Sequence, residues 1–127
     1  MANIIIVEDD VNIASIYKKK LEEGGHTATI VPDTDAVKQI RMQKPDLVLL
    51  DILMPNVSGL DILREVKMDA ETLSVPVLLL TNVAEDTSIA KGMEYGAYAY
   101  LLKAETKPEE ILPRINMTLE ETSKAKE

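Results

Sequence analysis

Short apolar runs recur along the chain, separated by stretches of a different period. Ile4-Ile5-Ile6-Val7, Leu47-Val48-Leu49-Leu50 and Val75-Pro76-Val77-Leu78-Leu79-Leu80 are nearly unbroken. His26-Thr27-Ala28-Thr29-Ile30-Val31 alternates, and Ala97-Tyr98-Ala99-Tyr100-Leu101-Leu102 closes the set. Runs of this length, rich in branched residues and bounded by Pro, Gly or acids, read as strands, buried on both faces where the apolar run is unbroken. Between them the period becomes helical. The predicted stripes are Val11, Ile13, Ala14, Ile16, Tyr17 and Leu21; then Ala36, Val37, Ile40 and Met42; then Leu60, Ile62, Leu63, Val66 and Met68; then Ile89, Ala90 and Met93; then Ile111, Leu112, Ile115 and Leu119.

Local signals set the boundaries. Asp10 or Asp9 caps the first helix and Gly24-Gly25 ends it, with Lys18-Lys19-Lys20 near its C-terminus, where cations suit the dipole. Pro32-Asp33 opens the second helix and Pro45 stops it; Asn56 or Ser58 starts the third; the fourth spans Glu85 to Glu94 and closes near Gly96. Thr106-x-x-Glu109 fits a capping box with Pro108 in the first turn. Pro113 then predicts a kink or a late start, and Glu120 to Glu127 a fraying charged tail. The domain is drawn over residues 1–122, with 123–127 as the tail.

Five strands alternating with five helices predict an α/β fold, a doubly wound (βα)5 parallel sheet with helices on both faces. All strand C-termini then lie on one edge. With the flavodoxin-like order 2-1-3-4-5, the switch point falls between strands 1 and 3.

Composition narrows the function. The chain has 127 residues, enough for one domain with a real core, and its only aromatics are four Tyr. No Cys is present, which excludes disulfides and thiolate chemistry, and one His excludes a multi-His metal site. The net charge of −8 argues against direct nucleic-acid binding by this domain. Met1-Ala2-Asn3 leads straight into a strand and no apolar segment nears the ~20 residues that span a bilayer, so no membrane contact and a cytoplasmic location are expected.

The residues just past the strand ends carry the candidate chemistry: Glu8, Asp9 and Asp10 after strand 1, Asp51 after strand 3, Thr81 after strand 4, Lys103 after strand 5. Acids facing one another across the crevice disfavour joint ionisation, and a hard divalent cation such as Mg²⁺ resolves this. Asp51 can serve as a nucleophile that forms an aspartyl-phosphate, with Thr81 and Lys103 supplying a hydroxyl and an ammonium to phosphoryl oxygens.

The ordered set of an acid pair after strand 1, Asp51-x-x-Met54-Pro55-x-x-x-Gly59, Thr81 and Lys103 resembles the receiver domains of bacterial two-component response regulators, of the chemotaxis-regulator type, over nearly the whole chain. The resemblance implies a phosphorylation-activated switch for signal transduction. Asp51 would be the phosphoacceptor, and Glu8, Asp9, Asp51 and the Leu53 backbone carbonyl would surround Mg²⁺ (or Mn²⁺), with Glu8 acting more often through water. Thr81 and Lys103 would contact the phosphoryl group, and Tyr100 would be the aromatic switch. The implied partners are a sensor histidine kinase or histidine phosphotransfer protein, and a downstream protein or output domain reached through the face of helix 4, strand 5 and helix 5. A phosphorylation-dependent dimer is compatible with this. Catalysis would be limited to Mg²⁺-dependent self-phosphorylation and autodephosphorylation, so the chain is not expected to be an enzyme. The last predicted element is helix 5, which fits a stand-alone regulator or a piece of a longer one.

The sequence departs from the family pattern at four points. Ala104 stands where Pro commonly follows the lysine, and Asn82 is bulkier than the usual Ala or Gly. Leu53 and Val83 are apolar where other members place polar groups that help position water, which leads us to expect slow dephosphorylation. Other readings meet specific obstacles. A hydrolase of the haloacid dehalogenase type needs a second acid at the position of Leu53. An interaction module without phosphorylation has no use for the intact acids, Thr81 and Lys103. A flavin or dinucleotide binder needs a Gly-rich loop where Glu8-Asp9-Asp10 stands. His26, Tyr95 and the lysine run are assigned to structure or solvent, and Tyr98 to packing or the output face.

Overall fold

The computed structural model describes residues 2–82 and 87–126. Its elements are β1 (Asn3–Val7), α1 (Val11–Glu23), β2 (Thr27–Val31), a 3-10 turn (Asp33–Asp35), α2 (Ala36–Gln43), β3 (Leu47–Asp51), α3 (Gly59–Met68), β4 (Val77–Thr81), α4 (Thr87–Tyr95), β5 (Ala99–Leu102) and α5 (Pro108–Lys126). All strand pairs are parallel and the order is β2-β1-β3-β4-β5, as the alternating pattern predicts.

Strand alternation sorts the core into two layers. Ile5, Val7, Val48, Leu50, Val77 and Leu79 face Ala36 and Ile40 of α2, Ile62, Leu63 and Val66 of α3, and Ile89 of α4. Ile4, Ile6, Leu47, Leu49, Leu78 and Leu80 face Ala14, Tyr17 and Leu21 of α1 and Ile111 and Ile115 of α5. Both faces of the central strands are therefore sealed, and this is why they read as unbroken apolar runs. Three strands end on the same edge with a polar or acidic group pointing out of this sealed interior: Val7 gives way to Glu8, β3 ends in Asp51 and β4 in Thr81.

Several boundaries differ from the sequence pattern for identifiable reasons. β2 starts at Thr27, because the His26 ring is drawn aside: Nδ1 accepts from Ala2 N (3.1 Å) and Nε2 lies 2.7 Å from Asn116 Oδ1. β4 starts at Val77, because Val75 N donates to Thr72 O (3.0 Å) in a turn and Pro76 has no N–H. β5 starts at Ala99, since Ala97 N donates back to Gly92 O of α4 (3.0 Å). Glu85 and Asp86, the expected start of the fourth helix, lie outside the described residues, as does Val83.

The helical stripes are narrower than expected. Val11, Ile16, Met42, Met68, Ala90 and Met93 are exposed. On α1 only Ala14, Tyr17 and Leu21, three and four residues apart, reach the core. On α4 the buried positions are Ile89 and Gly92. A Cβ at Gly92 would lie 2.3 Å from Leu79 Cδ1, so the missing side chain lets α4 close onto β4. The cap of α5 sits one residue later than Thr106-x-x-Glu109: Lys107 N donates to Glu110 Oε1 (3.2 Å) and Pro108 opens the helix. Pro113 neither delays nor ends α5, which continues through the acids expected to fray as far as Lys126.

The last turn of α3 leaves orphan carbonyls that need donors. Thr72 Oγ1, fully buried, donates to Val66 O (2.7 Å), and Lys67 Nζ reaches forward to Leu73 O (2.9 Å) and Val75 O (2.6 Å). Replacing Thr72 with Val keeps its volume but removes the donor. The expected loss is about 1–2 kcal/mol in urea unfolding, with an unchanged m-value.

Candidate functional site

Asp51 is the last residue of β3, at the floor of a pocket of about 250 Å³. Glu8, Asp9, Asp10 and Ile13 line it from the β1–α1 connection, Leu53 from the loop after β3, Thr81 and Asn82 from the end of β4, and Lys103 from beyond β5. The sheet edge thus gathers the residues that the strand-end pattern singled out. Tyr100, which only the family resemblance singled out, is not among them. It sits on β5, exposed, away from the pocket lining.

Charge organises the floor. The side chains of Glu8 and Asp51 are almost fully buried, and Lys103 Nζ lies 2.5 Å from Glu8 Oε1 and 3.2 Å from Asp51 Oδ2. The other oxygen of Glu8, Oε2, accepts from Asp10 N (3.1 Å). Asp10 itself caps α1, its Oδ1 accepting from Asn12 N (3.0 Å) and Ile13 N (3.2 Å). Asp9, between them, is exposed on the pocket wall.

Burial pushes the Asp51 carboxyl up to about 7, helped by the charge of Glu8 and a hydrogen bond with it; Lys103 opposes this without cancelling it. Burial alone would lower the Lys103 ammonium, but its hydrogen bonds and charge contacts with Glu8 and Asp51 outweigh that and raise it. Burial also raises the Tyr17 hydroxyl, which feels the same three charges. One oxygen from each of Glu8, Asp9 and Asp51 lies within 4.8 Å of the others. One ammonium shared by crowded acids leaves negative charge unbalanced, and hard oxygen donors at this spacing suit a small divalent cation.

The loop from Ile52 to Ser58 is held by backbone and by one carboxylate. Ile52 N donates to Leu80 O (3.2 Å) and Gly59 N returns to Ile52 O (2.9 Å). A Cβ on Gly59 would sit 2.0 Å from Asp51 O, so only glycine lets α3 start this close to the acid. Ser58 caps α3, its Oγ accepting from Leu60 N (3.2 Å). The remaining anchor was not legible in the sequence. Asp33, read only as the opening of the second helix, is buried and accepts from Asn56 N (2.8 Å) and Val57 N (3.0 Å) through Oδ2. Its Oδ1 accepts from Thr34 N (2.9 Å) and faces Asn56 Nδ2 (3.4 Å). These bonds, that from Val57 N foremost and then that from Asn56 N, hold its carboxyl below the ordinary aspartate value. The partners are mainly backbone groups 23 and 24 residues away, which carry no sequence signature.

Elsewhere the assignments are structural. Lys18 and Lys20 pair with Glu22 (3.9 Å) and Glu23 (3.8 Å) on the exposed end of α1. Tyr95 packs against the core beneath the Arg64 guanidinium, 6.0 Å from its ring centre. Tyr98 Oη donates to Glu121 Oε1 (2.6 Å), tying the approach to β5 onto α5. No peptide bond among the described residues is cis, that between Lys103 and Ala104 included, and no helix among them is long and apolar enough to cross a membrane.

Known proteins resemble this chain in sequence and fold. The response regulator receiver domain model matches residues 4–116. The DNA-binding response regulator MtrA of Mycobacterium leprae is 35% identical over 117 residues, covering 91% of this chain and 50% of that protein. The chain spans about half the length of the curated relatives it matches. Among solved structures, the BeF3-activated N-terminal receiver domain of Klebsiella pneumoniae RstA is 31% identical with a TM-score of 0.81, covering 92% of this chain and 97% of that one. A CheY-like response regulator receiver domain protein from Methanospirillum hungatei is 26% identical with a TM-score of 0.87, covering 98% of each chain.

The raised acid makes a pH prediction. Between its ordinary value of 3.8 and about 7, Asp51 is ionised in the unfolded chain and protonated in the folded one, so its burial lowers stability as pH rises through that window. In EDTA, Asp51→Asn is expected to be more stable than wild type at pH 8, on the order of 1–3 kcal/mol. The gain should shrink towards zero near pH 4. Denaturant unfolding across this range checks it; an equal difference at pH 8 and pH 4 would contradict it.

Proposed function

The chain belongs to the response regulator receiver domain family, and on that premise we propose that Asp51 is the phosphoacceptor of a phosphorylation-driven switch. The observation that carries this reading is the floor of the pocket: a buried carboxylate with Lys103 Nζ 3.2 Å away and two further acids within reach of one cation. Glu8, Asp9, Asp51 and the Leu53 carbonyl are the groups that would hold Mg²⁺ or Mn²⁺. Because both Glu8 oxygens already have protein partners, Asp9 and Asp51 are the direct carboxylate ligands in this reading. When bound, the cation supplies positive charge that offsets the crowded acids and the phosphoryl oxygens.

In the transfer, an Asp51 carboxylate oxygen attacks the phosphorus of a phosphohistidine on a partner kinase or phosphotransfer protein. The phosphorus–nitrogen bond breaks, its electron pair stays on the imidazole, and a proton from solvent completes the neutral ring. Lys103 and the Thr81 hydroxyl receive the equatorial oxygens, where charge spreads in such transfers. Thr81 ends β4 beside Leu102 of β5, so its movement is felt by the strand that carries Tyr100. Tyr100, exposed here, turns inward on phosphorylation, and the α4–β5–α5 face changes shape. Water later attacks the phosphorus and releases phosphate from the regenerated carboxylate. Leu53, exposed at the pocket rim, offers that water no hydrogen-bond partner, so release is slow.

A hydrolase reading lacks its second acid, since that position is Leu53. With a net charge of −8, this domain is a poor partner for nucleic acid, so any DNA contact like that named for MtrA belongs to a different domain. The cytoplasm, where kinases and their phosphodonors meet, is the location in this reading.

Incubation with acetyl phosphate and MgCl₂, followed by intact mass, is expected to show one phosphoryl group added to wild type and none to Asp51→Asn. No addition to wild type would overturn the reading. In the same samples, after removal of donor, the acyl phosphate should persist for minutes or longer; a half-life of seconds would overturn the role given to Leu53.

A further inference from the structure

The β3–α3 loop links Asp51 to α3, and the Leu53 carbonyl lies in its first half. Among the described residues no backbone–backbone hydrogen bond involves 53–57, which lie between two closures, Ile52 N on Leu80 O and Gly59 N on Ile52 O. What restrains the segment between is side-chain chemistry. Met54 and Val57 pack against the core layer beside α2 and α3. Asn56 and Val57 give both their N–H groups to one oxygen of Asp33, a residue from the far side of β1 in the sheet order. Pro55, with its fixed φ, joins Met54 to the clamped Asn56 and transmits the anchor stiffly towards Leu53.

Asp33 is suited to hold rather than to react. All its hydrogen bonds are accepted from donors, two of them by the same Oδ2, and it is buried and not among the residues that line the pocket. A neutral amide at the same place would turn an N–H₂ towards donors and lose at least one of these bonds.

We propose that Asp33 is a positioning residue for the cation site: by clamping Asn56 and Val57 it fixes the loop so that the Leu53 carbonyl points where a divalent ion binds. This rests on the reading of the pocket as a metal-dependent phosphoacceptor site. Groups that orient metal ligands without touching the metal typically change affinity by 10–100-fold when lost. Asp33 follows β2 and its hydrogen bonds run to Thr34, Asn56 and Val57, none of them to Glu8, Asp9, Asp51 or Lys103, so its removal takes no hydrogen bond from those four.

NMR titration with MgCl₂, on the 127-residue wild type, Asp33→Ala, Asp33→Ser and Asp35→Asn, tests this. Asp35 is the control, since its carboxylate accepts from Gln39 Nε2 (3.0 Å) on α2 and has no hydrogen bond to the β3–α3 loop among the described residues. The expected result is Mg²⁺ affinity about tenfold weaker in both Asp33 variants and unchanged in Asp35→Asn. The Leu53 carbonyl ¹³C shift produced by Mg²⁺ in wild type should shrink in the Asp33 variants, a change that general destabilisation of a still-folded protein would not give. Either Asp33 variant carries the test if the other fails to fold. Affinity within twofold of wild type in a folded Asp33 variant, or an undiminished Leu53 shift, overturns the positioning role alone. Wild type that binds no Mg²⁺ overturns the site reading and this inference with it.

Discussion

Two buried acids and one ammonium set the terms for this molecule. Glu8 and Asp51 are brought together at the end of a sheet whose interior is entirely aliphatic at the central strands, and Lys103 is the only cation that reaches them among the described residues. Such a triad is not an efficient way to stabilise a fold. Desolvating charges costs more than a neutral apolar cluster would, and Asp51 answers by favouring its protonated form. The surrounding architecture absorbs that cost. Three central strands, β3 and β4 buried throughout and β1 from Ile4 on, with helices on both faces, supply the apolar burial that makes an uncompensated edge tolerable, and the parallel topology puts every strand end on that edge.

The same edge separates what must be rigid from what must respond. The acids are fixed by local devices: Asp10 caps α1 and donates its N–H to Glu8, while Gly59 brings α3 against the Asp51 carbonyl. On the other side lie Thr81, which ends β4, and Tyr100 on the short edge strand β5, which has a single neighbour. Asp51 therefore has a hydrogen-bonded wall on the β1 side and, beyond β4, a strand that pairs on one side alone. Tyr98, bonded to Glu121, shows that β5 and α5 share a polar seam as well as an apolar one, so a shift in the strand is passed to the helix.

Most of this was legible in the sequence because it is periodic. Unbroken apolar runs mean strands buried on both faces, and residues that follow such runs must meet when the strands are parallel; Glu8, Asp9, Asp51, Thr81 and Lys103 were located by that reasoning alone. Where reading failed, the cause was a contact with no period. Val11, Met42, Met68 and Met93 are apolar and helically spaced, yet they lie at the margins of stripes that only two or three residues per helix need to fill. Strand starts moved where a turn claimed an N–H, as at Val75 and Ala97. Asp33 escaped because a carboxylate that binds distant backbone amides looks, in sequence, like any loop acid. The orientation of Tyr100 was equally hidden, since alternation assigns a side of the strand but not whether anything covers it.

The closure of Ile52 O by Gly59 N has one more consequence. It turns the segment after Asp51 into a ring with its own fastening, held to the sheet at Leu80 and to the β2 side at Asp33. Residues within the ring whose side chains face outward, Leu53 above all, bear no part of that fastening. Such positions are free to vary at little cost to folding, so the rim of the pocket can change while the scaffold beneath it is inherited unchanged. The rim and the frame are separately heritable parts of the same loop.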